Sequence, residues 1–395
     1  MIYASKSFAE TEAERVNMAT RRNSARTKLK LLVHGISDSE SLFESMAAFK
    51  EEHYAYDNGN WGVNSGRMVP SEVLLPGGIV SKIHIRPGSP LRLMFWDKTL
   101  VVEDDGEPIS EASTLPRPSF WNYQTSSGIP TKRFAHFYGA TCINFNIYSG
   151  CQFYDVEKPC LFCSVKATQQ LHNGVVIKKN PGDLADVCLL ATQHDKVEWF
   201  LATGGSYLNG DVEFDRHTAV LREVRHHLPW GGRLKGNLAL MPPKSIERLT
   251  DLFDLGVDHP SFNLEAWPQA AFERICPGKA AYVGFDHIMR AYDFLVNLYG
   301  PGRLWCNFVA GLVPIQDQKD GFTSMAERGV IPGANVYHPD VGSPYGDSIP
   351  SPSEDFIVDL YMHAAQLYHK HDFKPFFDSA VLRNSLANEA YEGLL

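Results

Sequence analysis

The stretch YSGCQFYDVEKPCLFCSV, residues 148–165, decides the reading of this chain. It carries three of the seven cysteines, Cys151, Cys160 and Cys163, in the spacing C-x8-C-x2-C. The residues leading into it, ATCINFNIYSG (140–150), form an apolar run rich in β-formers and bounded by glycine, the pattern of a buried strand. The cysteines are therefore expected in a loop at the end of a strand.

Outward from there, strand-like and helix-like segments alternate. Strands are predicted at 140–150, 197–205, 234–243, 259–266, 303–312 and 334–339. Helices are predicted between them, at 182–194, 213–227, 244–255, 285–299 and 316–328. Such alternation indicates a parallel sheet with helical crossovers. Cysteines at the carboxyl end of its first strand lie where such folds place their sites.

The flanks read differently. Residues 1–130 suggest a separate α+β cap or accessory domain. A polar helical stretch runs to Leu29–Val33, a helix-like segment starts near Asp38, and short strands are divided by Pro-Gly and Asp-Gly turns. Residues 113–130, STLPRPSFWNYQTSSGIP, are expected to be a linker. The second domain is set at 131–345, and a mostly helical C-terminal extension at 346–395 is expected to close one end of the sheet.

Composition narrows the class. The 395 residues are 44% hydrophobic and 21% charged with net charge −9, ordinary for a globular protein and contrary to nucleic-acid binding by the whole surface. The basic residues Arg15, Arg21, Arg22, Arg26, Lys28 and Lys30 are read as the solvated face of an N-terminal helix. No apolar run is long enough to span a membrane, and the N-terminus resembles neither a secretory signal nor a transit peptide, so a cytoplasmic protein is expected. In that compartment a close cysteine triplet means metal or redox chemistry.

Three thiolates can hold three irons of a 4Fe–4S cluster and leave the fourth open to an outside ligand. Tyr-Ser-Gly before Cys151 and the aromatic Phe162 before Cys163 resemble the radical S-adenosylmethionine (SAM) superfamily, whose usual motif is C-x3-C-x-Φ-C. The gap of eight residues departs from that pattern. The resemblance implies an α/β fold built on a partial (β/α)6 TIM-like barrel, a 4Fe–4S cluster on Cys151, Cys160 and Cys163, and S-adenosyl-L-methionine beside it.

It further implies roles along the strands. Phe162 would lie beside the adenine. Gly204, Gly205 and Ser206 resemble the Gly-Gly-Glu motif that meets the SAM amino group. Asn263 and Glu265, at alternate positions, would hold ribose and amino-acid portions. Arg274 or, by preference, Lys279 would meet the SAM carboxylate, and Gly311 would lie near the adenine. Tyr207, Asn237, Asn307 and His338 are expected to line a small-molecule substrate. A flavodoxin or ferredoxin would supply the electron for reductive SAM cleavage. No residue is assigned as catalytic.

Two bland alternatives stand beside this. His172 would complete a Cys3His zinc site in a binding protein without radical chemistry, and Glu265 would serve only as an ion-pair partner of Lys279 or Arg290. Cys142, Cys188, Cys276 and Cys306 are read as small buried apolar residues.

Overall fold

The computed structural model describes residues 12–37, 70–96, 99–171, 176–375 and 377–395. His172 and the segment from Asp38 lie outside them. Helix α1 (Glu12–His34) precedes five strands, β1 (Glu72–Leu75), β2 (Ile79–Lys82), β3 (Leu91–Trp96), β4 (Thr99–Asp104) and β5 (Glu107–Thr114). These pair antiparallel in the order β2-β1-β5-β4-β3. The expected turns are present: Asp105 and Gly106 both take positive φ, 47° and 92°, as a two-residue turn matching the strand twist requires.

The second sheet has the order β12-β11-β10-β9-β8-β7-β6. Its strands are β6 (Ala135–Tyr138), β7 (Cys142–Tyr148), β8 (Trp199–Gly204), β9 (Leu234–Ala239), β10 (Val257–Ser261), β11 (Leu304–Ala310) and β12 (Val330–Val336). Strands β7 to β12 run parallel, and β6 is added antiparallel at one edge. The fold is thus mixed α/β with six successive parallel strands, and the edge strands β6 and β12 are not paired with each other. All seven residues of β11 are buried, as expected for a parallel strand covered on both faces.

The intervening helices are α2 (Val165–Leu171), α3 (Pro181–His194), α4 (Gly210–Val224), α5 (Thr250–Asp254), α6 (Gln269–Ile275), α7 (Pro277–Tyr282), α8 (Phe285–Tyr299) and α9 (Ile315–Glu327), with α10 (Glu354–His371) and α11 (Ala387–Tyr391) at the end. Helix α8 matches the predicted span, and α3 and α4 begin at Asn caps whose side chains accept from the backbone N–H of Gly182 and Asp211. Helices α2, α6 and α7 and strand β6 had no clear sequence signal, being short.

Two expectations are corrected. The 113–130 stretch is no loose linker: Phe120 and Trp121 are buried in the main core, and Asp195 accepts from the backbone N–H of Ser119 and Phe120 at 2.7 and 2.8 Å. The basic face of α1 is not uniformly solvated either. Arg15, Arg22 and Arg26 are exposed, whereas Lys28 is fully buried. The helix is covered on that side by the C-terminal segment, where Lys28 Nζ donates to Glu389 Oε1 at 2.9 Å and to the Leu382 carbonyl at 2.6 Å.

Among the described residues of the C-terminal zone, α-helix is confined to α10 and α11, with a 3-10 turn at Gly346–Ser348. Between them, Ser379 and Arg383 offer carbonyls to the backbone N–H of Val80 and Lys82 on edge strand β2, and Val336 N–H donates to Asn384. This segment therefore covers a free edge and joins it to β12. A second buried pair fixes it, with Arg383 Nη1 3.1 Å from Glu72 Oε2 and Gly139 N–H donating to the other Glu72 oxygen at 3.0 Å.

Breaking such a pair on one side leaves a buried charge, so Arg383→Met should cost about 3–5 kcal/mol in denaturant unfolding. Burial pushes the Glu72 carboxyl up from 4.5 to about 7, against the lowering effect of Arg383. Between those values the folded chain keeps a proton that the unfolded chain has released. The Glu72 contribution to stability therefore falls as pH rises through that window. On going from pH 5 to pH 7.5, Glu72→Gln should accordingly lose less unfolding free energy, or gain more, than the parent protein.

Candidate metal and cofactor site

The parallel strands deliver the cysteine loop as expected, directly after β7. The eight residues between Cys151 and Cys160 fold rather than hang free. Gln152–Tyr154 form a single 3-10 turn, Glu157 takes φ 56°, and Lys158 N–H closes back on the Phe153 carbonyl at 2.8 Å. Leu161 N–H donates to Ile275 at the end of α6, and Cys163 N–H to the Cys160 carbonyl. Tyr154 Oη donates to the Cys163 carbonyl.

The loop is locked against the end of β8. Gly205 N–H donates to the Tyr148 carbonyl at 2.9 Å, Gln152 N–H to Ser206, and Leu208 N–H to the Gln152 side chain. A Cβ on Gly205 would stand 1.6 Å from the Gly150 carbonyl oxygen and 2.8 Å from Cys151 Cβ. Glycine is thus required here by close approach of two backbones rather than by a turn.

One cavity of ≈ 190 Å³ gathers Cys151, Cys160, Phe162, Cys163, Gly204, Gly205, Ser206, Asn263, Glu265 and Lys279. Tyr207, Asn237, Asn307, Gly311 and His338 do not line it. Tyr207 packs on Tyr148, with ring centres 4.5 Å apart, and Asn237 donates to the His259 carbonyl at 2.7 Å between β9 and β10. Asn307 N–H meets the Asn263 side chain at 3.3 Å, and Gly311 (φ 102°) lies against the Pro352 ring. His338 belongs to a cluster with Lys82 and Asp340.

The cavity also holds residues that the sequence did not single out, including Asn146, Phe153, Thr203, Glu213 and Met241. Glu213, in the first turn of α4, accepts from Met241 N–H at 2.7 Å and Tyr207 N–H at 3.0 Å, so it joins the loops after β8 and β9. Burial lifts its carboxyl to about 7 despite those bonds. A lone glutamate four residues into a helix carries no pattern that would have revealed this. Asn146, on the alternating face of β7, was legible in principle. Its side-chain oxygen is buried without a partner among the described residues.

Asn263 and Glu265 both reach the cavity, but β10 stops at Ser261, so strand alternation is not the cause. Glu265 instead takes φ 67° in a bulge where its N–H donates to Asn307 and its carbonyl accepts from Val309. Lys279 Nζ donates to Glu265 Oε1 at 2.7 Å and to the Asn263 carbonyl at 2.8 Å. Burial opposes the charge on Lys279, yet Glu265 holds the ammonium above its usual range. Lys279 is therefore already paired, using two of its three donors among the described residues.

The three thiols lie in desolvated surroundings. Burial pushes Cys151 up to about 11, and burial with the charge of Cys160 pushes Cys163 up to about 12. Cys160 is raised by a hydrogen bond with Cys276 and by burial. Half-buried thiolates gathered on one cavity repel one another unless a cationic centre compensates them, so the donor set fits a metal cluster. No three His, Cys, Asp or Glu side chains among the described residues converge on a point that would hold a single metal ion. Cys142, Cys188, Cys276 and Cys306 are buried, as expected.

No protein-family model matches the chain. It is 30% identical over 133 residues to the bacteriochlorophyllide c C-7(1)-hydroxylase of Chlorobaculum limnaeum, a match spanning 33% of each chain. The chain thus aligns with only about a third of that relative's length. Among solved structures it is similar to a radical SAM methyltransferase from Sphaerobacter thermophilus, at 12% identity and TM-score 0.43, over 76% of this chain and 82% of that one. It is also similar to coproporphyrinogen III oxidase from Escherichia coli, a radical SAM enzyme, at 12% identity and TM-score 0.39, over 61% and 55% of the two chains. No helix among the described residues is long and apolar enough to cross a membrane.

Because the approach at Gly205 is backbone on backbone, Gly205→Ala cannot be absorbed by a rotamer change. It should destabilise the protein by about 1–3 kcal/mol in denaturant unfolding and sharply lower iron uptake on reconstitution.

Proposed function

We propose that this protein is a radical SAM enzyme of partial-barrel type that binds a 4Fe–4S cluster through Cys151, Cys160 and Cys163. The observation that carries this reading is the convergence of all three cysteines, Phe162, Gly204–Ser206, Asn263, Glu265 and Lys279 on one cavity at the carboxyl ends of the parallel strands. Bound there, the cluster would supply the open iron that chelates SAM and the electron that cleaves it.

The chain's own residues then have definable tasks. Gly204 and Gly205 keep side chains out of the space between β7 and β8, leaving backbone polar groups to face an amino group. The Glu265–Lys279 pair sets a fixed dipole at the cavity wall. The remaining Lys279 donor can take a carboxylate, and the orphaned Asn146 oxygen can accept from a ligand N–H or O–H. Phe153, Phe162, Val165, Leu240 and Met241 surround these groups with apolar surface that excludes water from reactive intermediates. The substrate is a small organic molecule, in keeping with the named activity of the Chlorobaculum relative, and a flavodoxin or ferredoxin serves as electron donor in the cytoplasm.

Anaerobic reconstitution with iron and sulfide tests this. The expected product is brown, with about four irons per chain, and its reduced EPR signal changes on adding SAM. A colourless protein holding one tight zinc would overturn the proposal. Cys160→Ala should abolish cluster and SAM cleavage together. Cys188→Ala, a buried position in α3, should retain both.

A further inference from the structure

A line of polar side chains runs from the cysteine loop to the N-terminal sheet, outside the residues that line the cavity. Ser164, next in the chain to Cys163, donates its hydroxyl to Asp340 Oδ2 at 2.9 Å. Asp340 Oδ1 lies 3.0 Å from His338 Nδ1, in contact but outside hydrogen-bond geometry. Lys82 Nζ, at the end of β2, lies 2.8 Å from His338 Nε2, and the buried His84 ring stacks on His338 at 4.4 Å. An ammonium can only donate, so His338 Nε2 accepts and the ring proton sits on Nδ1, facing the Asp340 carboxylate.

The position of this line in the fold gives it meaning. His338 and Asp340 follow β12, the last parallel strand, while Ser164 follows β7, the first. A second bond crosses the same gap, from Tyr345 N–H to the Leu161 carbonyl at 2.8 Å. Cys151 is tied to β8 through Gln152 and Ser206, and Cys160 lies beside Cys276. Cys163 alone is followed by a residue whose side chain is held from the far edge of the sheet.

We propose that Asp340 is a positioning residue for Cys163, acting through Ser164, and that Lys82 of the N-terminal sheet orients Asp340 through His338. This rests on the reading of Cys163 as a cluster ligand. The chain Lys82–His338–Asp340–Ser164 holds the third thiol at the spacing the cluster requires, and makes the N-terminal sheet part of the metal site without touching it.

The experiment uses the full-length protein freed of iron. Iodoacetamide labelling of Cys151, Cys160 and Cys163 is followed by peptide mass spectrometry. Ser164→Ala should speed labelling of Cys163 about tenfold, the effect of losing one hydrogen bond to a charged group, and leave Cys151 unchanged. Lys82→Met should act in the same direction, and Asp340→Asn, which keeps an acceptor for Ser164, more weakly than Ser164→Ala. Unchanged Cys163 labelling in Ser164→Ala, or a parallel rise at Cys151, would overturn the proposal. After reconstitution, Ser164→Ala should retain iron yet show an altered EPR line shape with SAM. Failure of the parent protein to take up iron would count against the cluster, while the labelling pattern would still report on the clamp.

Discussion

The approach of Gly205 to the Gly150 carbonyl is the contact on which the rest of the site depends. It lets the end of β8 lie directly against the entry of the cysteine loop, and every later bond of that loop is built from this seam. With any side chain at 205 the two strand ends would separate, and the Gln152–Ser206 and Gly205–Tyr148 bonds would stretch together. The close seating of Cys151 against the end of β8 thus follows from one missing methyl group. The parallel sheet supplies the directions, and this contact supplies the precision.

Legibility in the sequence tracked the range of the interactions. The six parallel strands and α3, α4, α8 and α9 were readable because each carries its apolar pattern within its own span. Gly204–Gly205 and the cysteine triplet were readable because chemistry restricts which residues stand there. Glu265 lines the cavity through a left-handed backbone turn rather than through the strand alternation expected of it. Glu213 was not singled out, and Asn237 and His338 lie off the cavity lining, because their partners are 28, 22 and 256 residues away. The same distance effect hid the burial of Lys28. A lysine on an amphipathic helix reads as solvated until the segment that covers it is known.

Two buried ion pairs, Lys28–Glu389 and Glu72–Arg383, connect the N-terminal helix and sheet to the last part of the chain. Neither is an efficient source of stability, because desolvation consumes most of the attraction. Their worth is specificity: an N-terminal unit docked in any other pose would leave two buried charges unmatched. That pose brings Lys82 and His84 behind the cysteine loop, so fold specificity and site geometry share one set of contacts.

The Lys28–Glu389 pair also bears on the order in which the molecule is made. Its partners are 361 residues apart, so α1 emerges from the ribosome long before its counter-charge exists. Until residue 389 has been synthesised, a lysine destined for a fully buried position has only water to satisfy it, and α1 has no reason to settle. The N-terminal sheet is in the same state, since β2 keeps an open edge until residues 379–383 arrive. The central parallel sheet can therefore condense before α1 and β2 meet their partners at residues 379–389.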